Sequence, residues 1–281
     1  MRKLESHACF GGTQDVWAHE ATSTACEMRF GVFLPPQAQD GPCPVLYFLS
    51  GLTCTEQNFI QKSGVQRHAA EHGLVIVSPD TSPRGEGVPD AEGDDIGLSA
   101  SFYVDATQAP WSAQYRMHQY VAHELPALVE QHFPVTDARS ITGHSMGGHG
   151  ALVCALRHPG RYRSVSALSP ICSASRGWGR KAFAAYLGED PAAWREWDAC
   201  DLLRASSDKL SLLVDQGEAD PFLEDRLQPD LLRQACVAGG HALDLRMRPG
   251  YDHGFYFVAS FVGDHVAHHA RALRPSSAKS T

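Results

Sequence analysis

Several features are missing from this 281-residue sequence, and each absence removes a class of protein. The longest apolar runs, such as residues 45–49, are far shorter than the roughly 20 residues needed to span a bilayer. No block of Lys and Arg is present, and the formal net charge is −8, which argues against nucleic acid or an anionic membrane as the main partner. Because 43% of the residues are hydrophobic and 20% are charged, we expect a soluble globular protein rather than a disordered one.

The eight cysteines contain no C-x-x-C pair and no spacing typical of a zinc site. No apolar run follows the basic residues Arg2 and Lys3, so the sequence predicts no secretory signal. We therefore expect buried free thiols in a reducing compartment, and no metal.

Short apolar runs alternate with longer helical patterns along the chain. Strands are predicted at residues 26–34, 44–49, 74–77, 139–142, 164–168, 210–215 and 243–247. Helices are predicted at residues 58–71, 113–132, 148–158, 180–187, 223–238 and 256–272. This alternation indicates an α/β fold with a mostly parallel sheet. We find no linker that divides the chain and predict one domain over residues 1–273, followed by a flexible tail at 274–281.

One motif stands out because of its context. Gly143-His144-Ser145-Met146-Gly147 follows a predicted strand and precedes a predicted helix. A G-x-S-x-G sequence between a strand and a helix is typical of the nucleophile elbow, in which glycines permit a tight turn and the serine Oγ projects above the sheet. Ser145 is therefore the candidate nucleophile.

A serine nucleophile requires a base and an orienting acid, which follow it in the chain order Ser, Asp or Glu, His. His253 follows the strand predicted at 243–247 and so lies at the carboxyl edge of the sheet, where ligands bind in such folds. His241 precedes that strand and would lie at the wrong edge. For the acid we favour Asp220, while Asp215 and Glu218 remain alternatives because loop geometry cannot be read from sequence.

Other histidines are better explained by packing. His149 lies within the helix after the elbow, and a packing or capping role is favoured there. His265, His268 and His269 have helical i, i+3, i+4 spacing, but no carboxylate–histidine signature surrounds them, so a solvated or packed helix face is favoured over a metal site.

The tetrahedral intermediate needs hydrogen-bond donors. The N–H of Met146, directly after the serine, is one candidate, and the N–H of Leu52, in the loop after the strand ending at Leu49, is the second. Cys54 lies two residues beyond Leu52 and is either a reactive thiol beside the site or a buried small hydrophobe. Trp178 is either a wall of the acyl pocket or ordinary core.

These segments together resemble the S-formylglutathione hydrolase family, also called esterase D. The stretches that carry the resemblance are Leu49-Ser50-Gly51-Leu52-Thr53-Cys54-Thr55-Glu56-Gln57-Asn58-Phe59, Pro79-Asp80-Thr81-Ser82-Pro83-Arg84-Gly85, Phe102-Tyr103-Val104-Asp105-Ala106-Thr107, Gly143 through Leu152, Asp215-Gln216-Gly217 with Asp220 and Phe222-Leu223, and Gly250-Tyr251-Asp252-His253. Together with the N-terminal and helical segments, the resemblance covers nearly the whole chain except its tail. The run from Ser50 to Glu56 is more specific than the elbow.

The resemblance implies an α/β-hydrolase fold with helices on both faces of the sheet, no cofactor, a cytosolic location and a homodimer. It carries the nucleophile onto Ser145, the acid onto Asp220 and the base onto His253. The sequence departs from the family pattern at residues 172–179, Cys-Ser-Ala-Ser-Arg-Gly-Trp-Gly, and at Gly254-Phe255 after the histidine. The resemblance thus implies a serine thioesterase acting on S-formylglutathione in formaldehyde detoxification. A general carboxylesterase or acyltransferase of the same fold is the alternative, and an inactive binding protein is disfavoured because all three triad positions hold competent residues.

Overall fold

The computed structural model describes residues 1–274. Nine strands form one sheet: β1 (Arg2–Cys9), β2 (Gly12–Ala21), β3 (Cys26–Leu34), β4 (Cys43–Leu49), β5 (Val75–Pro79), β6 (Val135–Gly143), β7 (Val165–Leu168), β8 (Ser211–Gly217) and β9 (Ala242–Arg248). Their order across the sheet is β1-β2-β3-β5-β4-β6-β7-β8-β9. Strands from β5 to β9 in that order are parallel to one another, and β1, β2 and β3 join as antiparallel neighbours.

The helices of the described chain lie between and after these strands. They are α1 (Glu56–Lys62), α2 (Val65–His72), α3 (Met117–Gln119), α4 (Leu125–His132), α5 (Met146–Arg157), α6 (Arg180–Leu187), α7 (Pro191–Trp194), α8 (Ala199–Ala205), α9 (Pro229–Gly239) and α10 (Phe255–Leu273). A π-helical segment, Tyr120–Glu124, joins α3 to α4, and another, Leu223–Leu227, precedes α9. Within residues 1–274, none of these helices combines the length and apolar character that crossing a membrane requires.

Helices cover both faces of the sheet. Along β4, Val45, Tyr47 and Leu49 pack into one apolar cluster, while Leu46 and Phe48 pack into another. The first cluster includes residues of α4, α5, α6, α8 and α9, and the second includes residues of α1, α2 and α10. Because alternate residues of a strand point to opposite faces, β4 is buried on both sides. The predicted mostly parallel sheet with helices on both faces is confirmed.

Several predicted boundaries match the structure, and others are wrong for local reasons. The strand at 26–34 and the helix at 180–187 have the predicted bounds. The helix predicted at 58–71 is divided into α1 and α2 by Gly64, which has a positive φ of 67°. The helix predicted at 223–238 is divided by Gln228, in a left-handed conformation, and Pro229. The predicted helix at 113–132 begins only at Met117.

Two strands and two helices were not predicted. β1 is an edge strand that is mostly exposed, so it lacks apolar alternation, and β2 buries Gln14, Asp15 and His19. The helices α7 and α8 are short, although each has an aspartate as its N-cap, Asp190 and Asp198 respectively. Of the predicted tail, residues 275–281 lie outside the described residues.

Candidate active site

Ser145 lies at the junction of β6 and α5, in a turn so tight that positions 143 and 147 have no room for a side chain. It has φ 58° and ψ −120°, an unfavourable region for a residue with a Cβ. A Cβ on Gly143 would lie 2.3 Å from the carbonyl oxygen of Gly147, and one on Gly147 would lie 2.0 Å from that of Leu49. Both contacts are impossible, so the glycines of the motif are required by close backbone approach. The elbow predicted from the sequence is present.

His253 and Asp220 complete a hydrogen-bonded chain with Ser145. The Nε2 atom of His253 lies 2.9 Å from Ser145 Oγ, and its Nδ1 atom lies 2.6 Å from Asp220 Oδ2. The carboxylate of Asp220 is held by two further donors: Phe222 N at 2.9 Å and Gln216 Nε2 at 3.3 Å. This geometry gives His253 one nitrogen toward the serine hydroxyl and the other toward a buried acid, as nucleophile activation requires.

The alternative acids point elsewhere. Asp215 is fully buried and its carboxylate accepts hydrogen bonds from Arg248 Nε and from His265 Nε2, the latter at 2.9 Å. Glu218 is exposed. Neither carboxylate contacts His253, so Asp220 alone of the three has the position that the triad hypothesis needs.

Four of the other histidines considered above have hydrogen-bond partners within the fold. His241 bonds to Leu203 O at 2.8 Å and to Leu210 N at 3.1 Å. His149 lies between the carbonyl oxygens of Ile171 and Trp197. On α10, His265 and His269 are buried and bond to Ser166 Oγ at 2.7 and 2.8 Å. Across residues 1–274, no group of three His, Cys, Asp or Glu residues is arranged to hold a metal ion.

The loop after β4 packs directly against the serine. A Cβ on Gly51 would lie 3.0 Å from Ser145 Cβ, which places the backbone of Leu52 beside the elbow. The carbonyl of Ser50 accepts a hydrogen bond from Tyr103 Oη at 2.8 Å, which fixes this loop. Met146 is the first residue of the twelve-residue helix α5, so its N–H has no acceptor within the helix and lies at the positive end of the helix dipole. The start of α5 and the loop around Gly51 therefore both lie close to Ser145, and the donor roles of the Met146 and Leu52 amides stay a prediction.

Aromatic side chains lie next to His253. Phe222 meets the ring of His253 edge-on at 5.2 Å between centroids, and Trp178 packs on Phe222 at 4.8 Å. Leu52 is half-buried, whereas Met146 is fully buried and its Sδ accepts from Phe102 N at 3.3 Å. Trp178 is partly buried, packs against the main apolar cluster and also contacts Phe222, so its place in the acyl pocket stays a prediction.

Cys54 is 8% exposed, and burial raises the pKa of its thiol above the ordinary value of 9.0, while the charge of Lys62 partly opposes this rise. Its carbonyl accepts from Thr81 Oγ1 and Arg84 Nη2. A buried thiol with a raised pKa is mostly protonated at neutral pH and a weak nucleophile. Of the two interpretations left open by the sequence, the buried small hydrophobe therefore fits the structure better. All eight cysteines are free thiols.

Sequence reasoning missed the role of His144, the residue before the serine. Its ring packs on that of His253 with centroids 4.6 Å apart, and neither of its nitrogens has a hydrogen-bond partner. Burial, followed by the proximity of His253, holds the pKa of His144 well below its usual value. His144 is therefore a neutral ring against which the imidazole of His253 packs, and no spacing in the sequence indicates that contact.

Comparisons with known proteins agree with this architecture. The Esterase family model matches residues 21–269. The chain is 52% identical over 278 residues to mouse S-formylglutathione hydrolase, covering 97% of this chain and 99% of the relative. It is 47% identical to a solved S-formylglutathione hydrolase of Agrobacterium tumefaciens, with a TM-score of 0.96 and coverage of 97% and 100%.

A more distant solved structure shares the fold alone. A fluorophosphonate-binding serine hydrolase of Staphylococcus aureus is 20% identical, with a TM-score of 0.74 and coverage of 92% and 98%. The fold is that of the α/β-hydrolases, as the sequence predicts. On the strength of the family model and of near full-length identity, this chain belongs to the esterase family and, within it, to the S-formylglutathione hydrolases.

Proposed function

We propose that this protein hydrolyses S-formylglutathione to glutathione and formate, the hydrolytic step of formaldehyde detoxification that follows oxidation of the formaldehyde–glutathione adduct to the thioester. The observation that carries the proposal is the continuous hydrogen-bonded chain from Ser145 through His253 to Asp220, in a chain with near full-length identity to named S-formylglutathione hydrolases.

Acylation starts when Ser145 Oγ attacks the formyl carbon while His253 Nε2 takes the hydroxyl proton. Asp220 accepts the Nδ1–H of His253, which fixes the tautomer and stabilises the imidazolium that forms. The carbonyl oxygen becomes negative in the tetrahedral intermediate, and the N–H groups of Leu52 and Met146 donate to it.

The C–S bond then breaks and the formyl group stays on Ser145. The leaving thiolate has a conjugate acid of pKa near 8.5, so it departs with far less protonation than an amine requires. It then takes up the proton held by His253, which leaves His253 neutral and able to act as a base again. A water molecule, deprotonated by His253, attacks the formyl ester. The second tetrahedral intermediate collapses to release formate, and the proton returns to Ser145. The chain's own groups supply every step, and the proposal includes no cofactor and no metal.

A preference for the smallest acyl group follows from the walls of the site. Leu52, Trp178 and Phe222 are large side chains around Ser145, and each methylene added to the acyl group has to be accommodated between them. Overpacking of this kind costs about 1–3 kcal/mol for each step, or roughly 5- to 150-fold in kcat/KM.

A hydrolysis panel tests the function. Formyl-, acetyl- and butyryl-glutathione are compared with simple oxygen esters, and each kcat/KM is divided by the rate of the same compound with hydroxide, because a formyl carbon is intrinsically more electrophilic. The normalised value is expected to fall from formyl to acetyl to butyryl. Equal normalised values, or faster turnover of simple esters, would instead support a general carboxylesterase. Faster transfer to an alcohol than to water would support an acyltransferase.

The proposal includes a location and an assembly. The eight free thiols suit the reducing cytosol, and the resemblance to the family implies a homodimer. Sedimentation equilibrium at micromolar concentration tests the dimer, which would appear as twice the chain mass of 30.6 kDa.

A further inference from the structure

Arg226 lies on the aromatic wall of the site although it belongs to no part of the triad. Its guanidinium carbon is 4.1 Å from the ring centre of Trp178 and 5.3 Å from that of Phe222. Phe222 in turn meets the ring of His253 edge-on. One aromatic side chain therefore separates the positive charge of Arg226 from the imidazole of the base.

The backbone fixes this arrangement on both sides. Arg226 lies in the π-helical segment Leu223–Leu227, and its N–H donates to Phe222 O at 3.0 Å. The loop that carries Trp178 packs against the same segment, because a Cβ on Gly177 would lie 3.2 Å from Arg226 O. Two different segments of the chain therefore fix the position of Arg226 relative to Trp178 and Phe222.

The charge of Arg226 has no carboxylate partner. Among residues 1–274, Arg204 and Arg233 form ion pairs with Asp201 and Asp230, but no carboxylate lies within 4.0 Å of the Arg226 guanidinium. Stacking occupies the face of a guanidinium, and its N–H groups project from the edge, where they match a carboxylate in a two-pronged contact. Arg226 is exposed and therefore accessible to a ligand.

We propose that Arg226 binds the glycine carboxylate of the glutathionyl part of the substrate. This inference rests on the proposed function. An S-acylglutathione carries two carboxylates and one ammonium, hence a net charge of −1, while the protein carries −8. An acidic protein needs a local cation to hold an anionic substrate against its overall field.

The reach of the substrate agrees with this assignment. The glycine carboxylate lies about two residue lengths from the cysteine sulfur, or roughly 7 Å in an extended chain. With the thioester at Ser145, a glutathionyl group that extends along the side of the site formed by His253 and Phe222 would bring its carboxylate toward Arg226.

The experiment pairs changes in the protein with a change in the substrate. Wild type, Arg226→Gln and Arg226→Lys are assayed with S-formylglutathione and with the S-formyl derivative of glutathione glycinamide, which lacks that carboxylate. For Arg226→Gln with S-formylglutathione we expect KM to rise about 5- to 20-fold with kcat within 2-fold, the range for a charge-assisted contact at a partly exposed site. Arg226→Lys keeps the positive charge without the planar guanidinium, so its KM is expected to lie between those of wild type and Arg226→Gln.

Coupling between the two changes decides the proposal. The glycinamide should raise KM for wild type by a similar factor, and should cause little further loss in Arg226→Gln. Arg233→Gln, which removes an exposed charge from the neighbouring helix α9, is the matched control and should leave both substrates unaffected. Equal discrimination between the two substrates by wild type and by Arg226→Gln would overturn the inference.

A neutral substrate separates binding from folding and from the overall function. Hydrolysis of 4-nitrophenyl acetate by Arg226→Gln should equal that of wild type, and loss of that activity would mean that Arg226 supports the site structurally rather than binding substrate. Failure of wild type to prefer S-formylglutathione over simple esters would refute the proposed function, whatever Arg226 does.

Discussion

The backbone of Ser145 is in a conformation that only close packing maintains. Left-handed or similar regions cost about 1–3 kcal/mol for a residue with a Cβ. Here the carbonyls of Leu49 and Gly147 and the following helix α5 enforce the turn. This conformational strain depends on the backbone and the Cβ and not on the hydroxyl. Removing Oγ should therefore leave the fold unchanged.

Ser145→Ala is therefore expected to lower kcat by about 10³-fold or more while the free energy of unfolding changes little. Single-turnover hydrolysis and urea unfolding measure the two quantities. Ser78→Ala, on strand β5, removes a buried serine hydroxyl that, unlike that of Ser145, has no hydrogen-bond partner, and is the control that should retain turnover. Near-wild-type rates in Ser145→Ala would refute the triad.

The burial of Cys54 makes its reactivity a function of pH. The raised pKa keeps the thiol protonated at neutral pH, and the thiolate fraction grows as the pH approaches and passes 9. Because Cys54 lies two residues beyond Leu52, a bulky adduct there would displace the loop that supplies the proposed oxyanion donor.

We expect inactivation by a bulky maleimide to be slow at pH 7 and to accelerate with rising pH. Cys54→Ser should keep turnover and lose this sensitivity. Cys9→Ser, in which a less buried thiol on the edge strand β1 is removed, should be inactivated like wild type. Inactivation of Cys54→Ser at the wild-type rate would place the reactive thiol at another cysteine.

At the level of elements, sequence patterns located the buried strands well and the others poorly. β4 and β5 are apolar runs because both faces are covered, and that requirement is visible in one dimension. β2 pairs with β3 and β1 pairs with β2, and nothing in the composition of these two strands indicates that pairing. The positive φ of Gly64 and of Gln228 interrupts helices whose apolar periodicity continues across the break.

In the site too, features set by local sequence could be predicted, whereas features set by contacts between distant segments could not. Gly143-His144-Ser145-Met146-Gly147 specifies its own turn because the constraint is local, so the position of Ser145 could be predicted. The choice between Asp215 and Asp220 depends on α10, a helix far along the chain, which supplies His265 to Asp215. Arg226 meets Trp178, and His144 meets the ring of His253, through contacts between loops, and no spacing in the sequence indicates those contacts.

The pairing of Asp215 joins three elements beneath the site. Its carboxylate, at the end of β8, accepts from Arg248 of β9 and from His265 of α10, and His265 Nδ1 lies 2.7 Å from Ser166 Oγ of β7. Burial, the largest effect, raises the pKa of Asp215, but the hydrogen bonds from His265 and Arg248 together hold it below the usual 3.8. This carboxylate therefore stabilises the fold in its charged form.

Asp215→Asn should cost about 2–4 kcal/mol of unfolding free energy at pH 7, because Arg248 and His265 lose a buried charged acceptor. A depressed folded-state pKa gives stability that is fully present above the unfolded value near 3.8 and is lost as the pH falls through the folded value. The difference between wild type and variant, from urea unfolding, should be constant from pH 7 to 5 and shrink below pH 4. Asp244→Asn, which removes an exposed partner of Arg246, should cost less than about 0.5 kcal/mol. A cost for Asp215→Asn as small as that control would contradict this account.

For the whole molecule, the distribution of charge sets how an anionic substrate approaches. The formal net charge of −8 repels a ligand of charge −1 at long range, while Arg226, and Lys62 near the ring of Phe255, attract it locally. Salt screens both effects, since the Debye length is about 30 Å at 0.01 M and about 8 Å at 0.15 M. The two contributions oppose each other in wild type and should partly cancel.

Removing the local cation isolates the long-range repulsion. In Arg226→Gln, kcat/KM for S-formylglutathione should rise about 2- to 5-fold when ionic strength increases from 0.01 to 0.15 M, because screening weakens the repulsion by the acidic surface. Wild type should show a smaller rise or none, since the same salt weakens its contact with the substrate carboxylate. A neutral ester, 4-nitrophenyl acetate, should be insensitive to salt in both proteins and corrects for specific salt effects. A fall with salt in Arg226→Gln would show that Lys62 or another cation still dominates the approach, and that the net charge of the molecule has little influence at the mouth of the site.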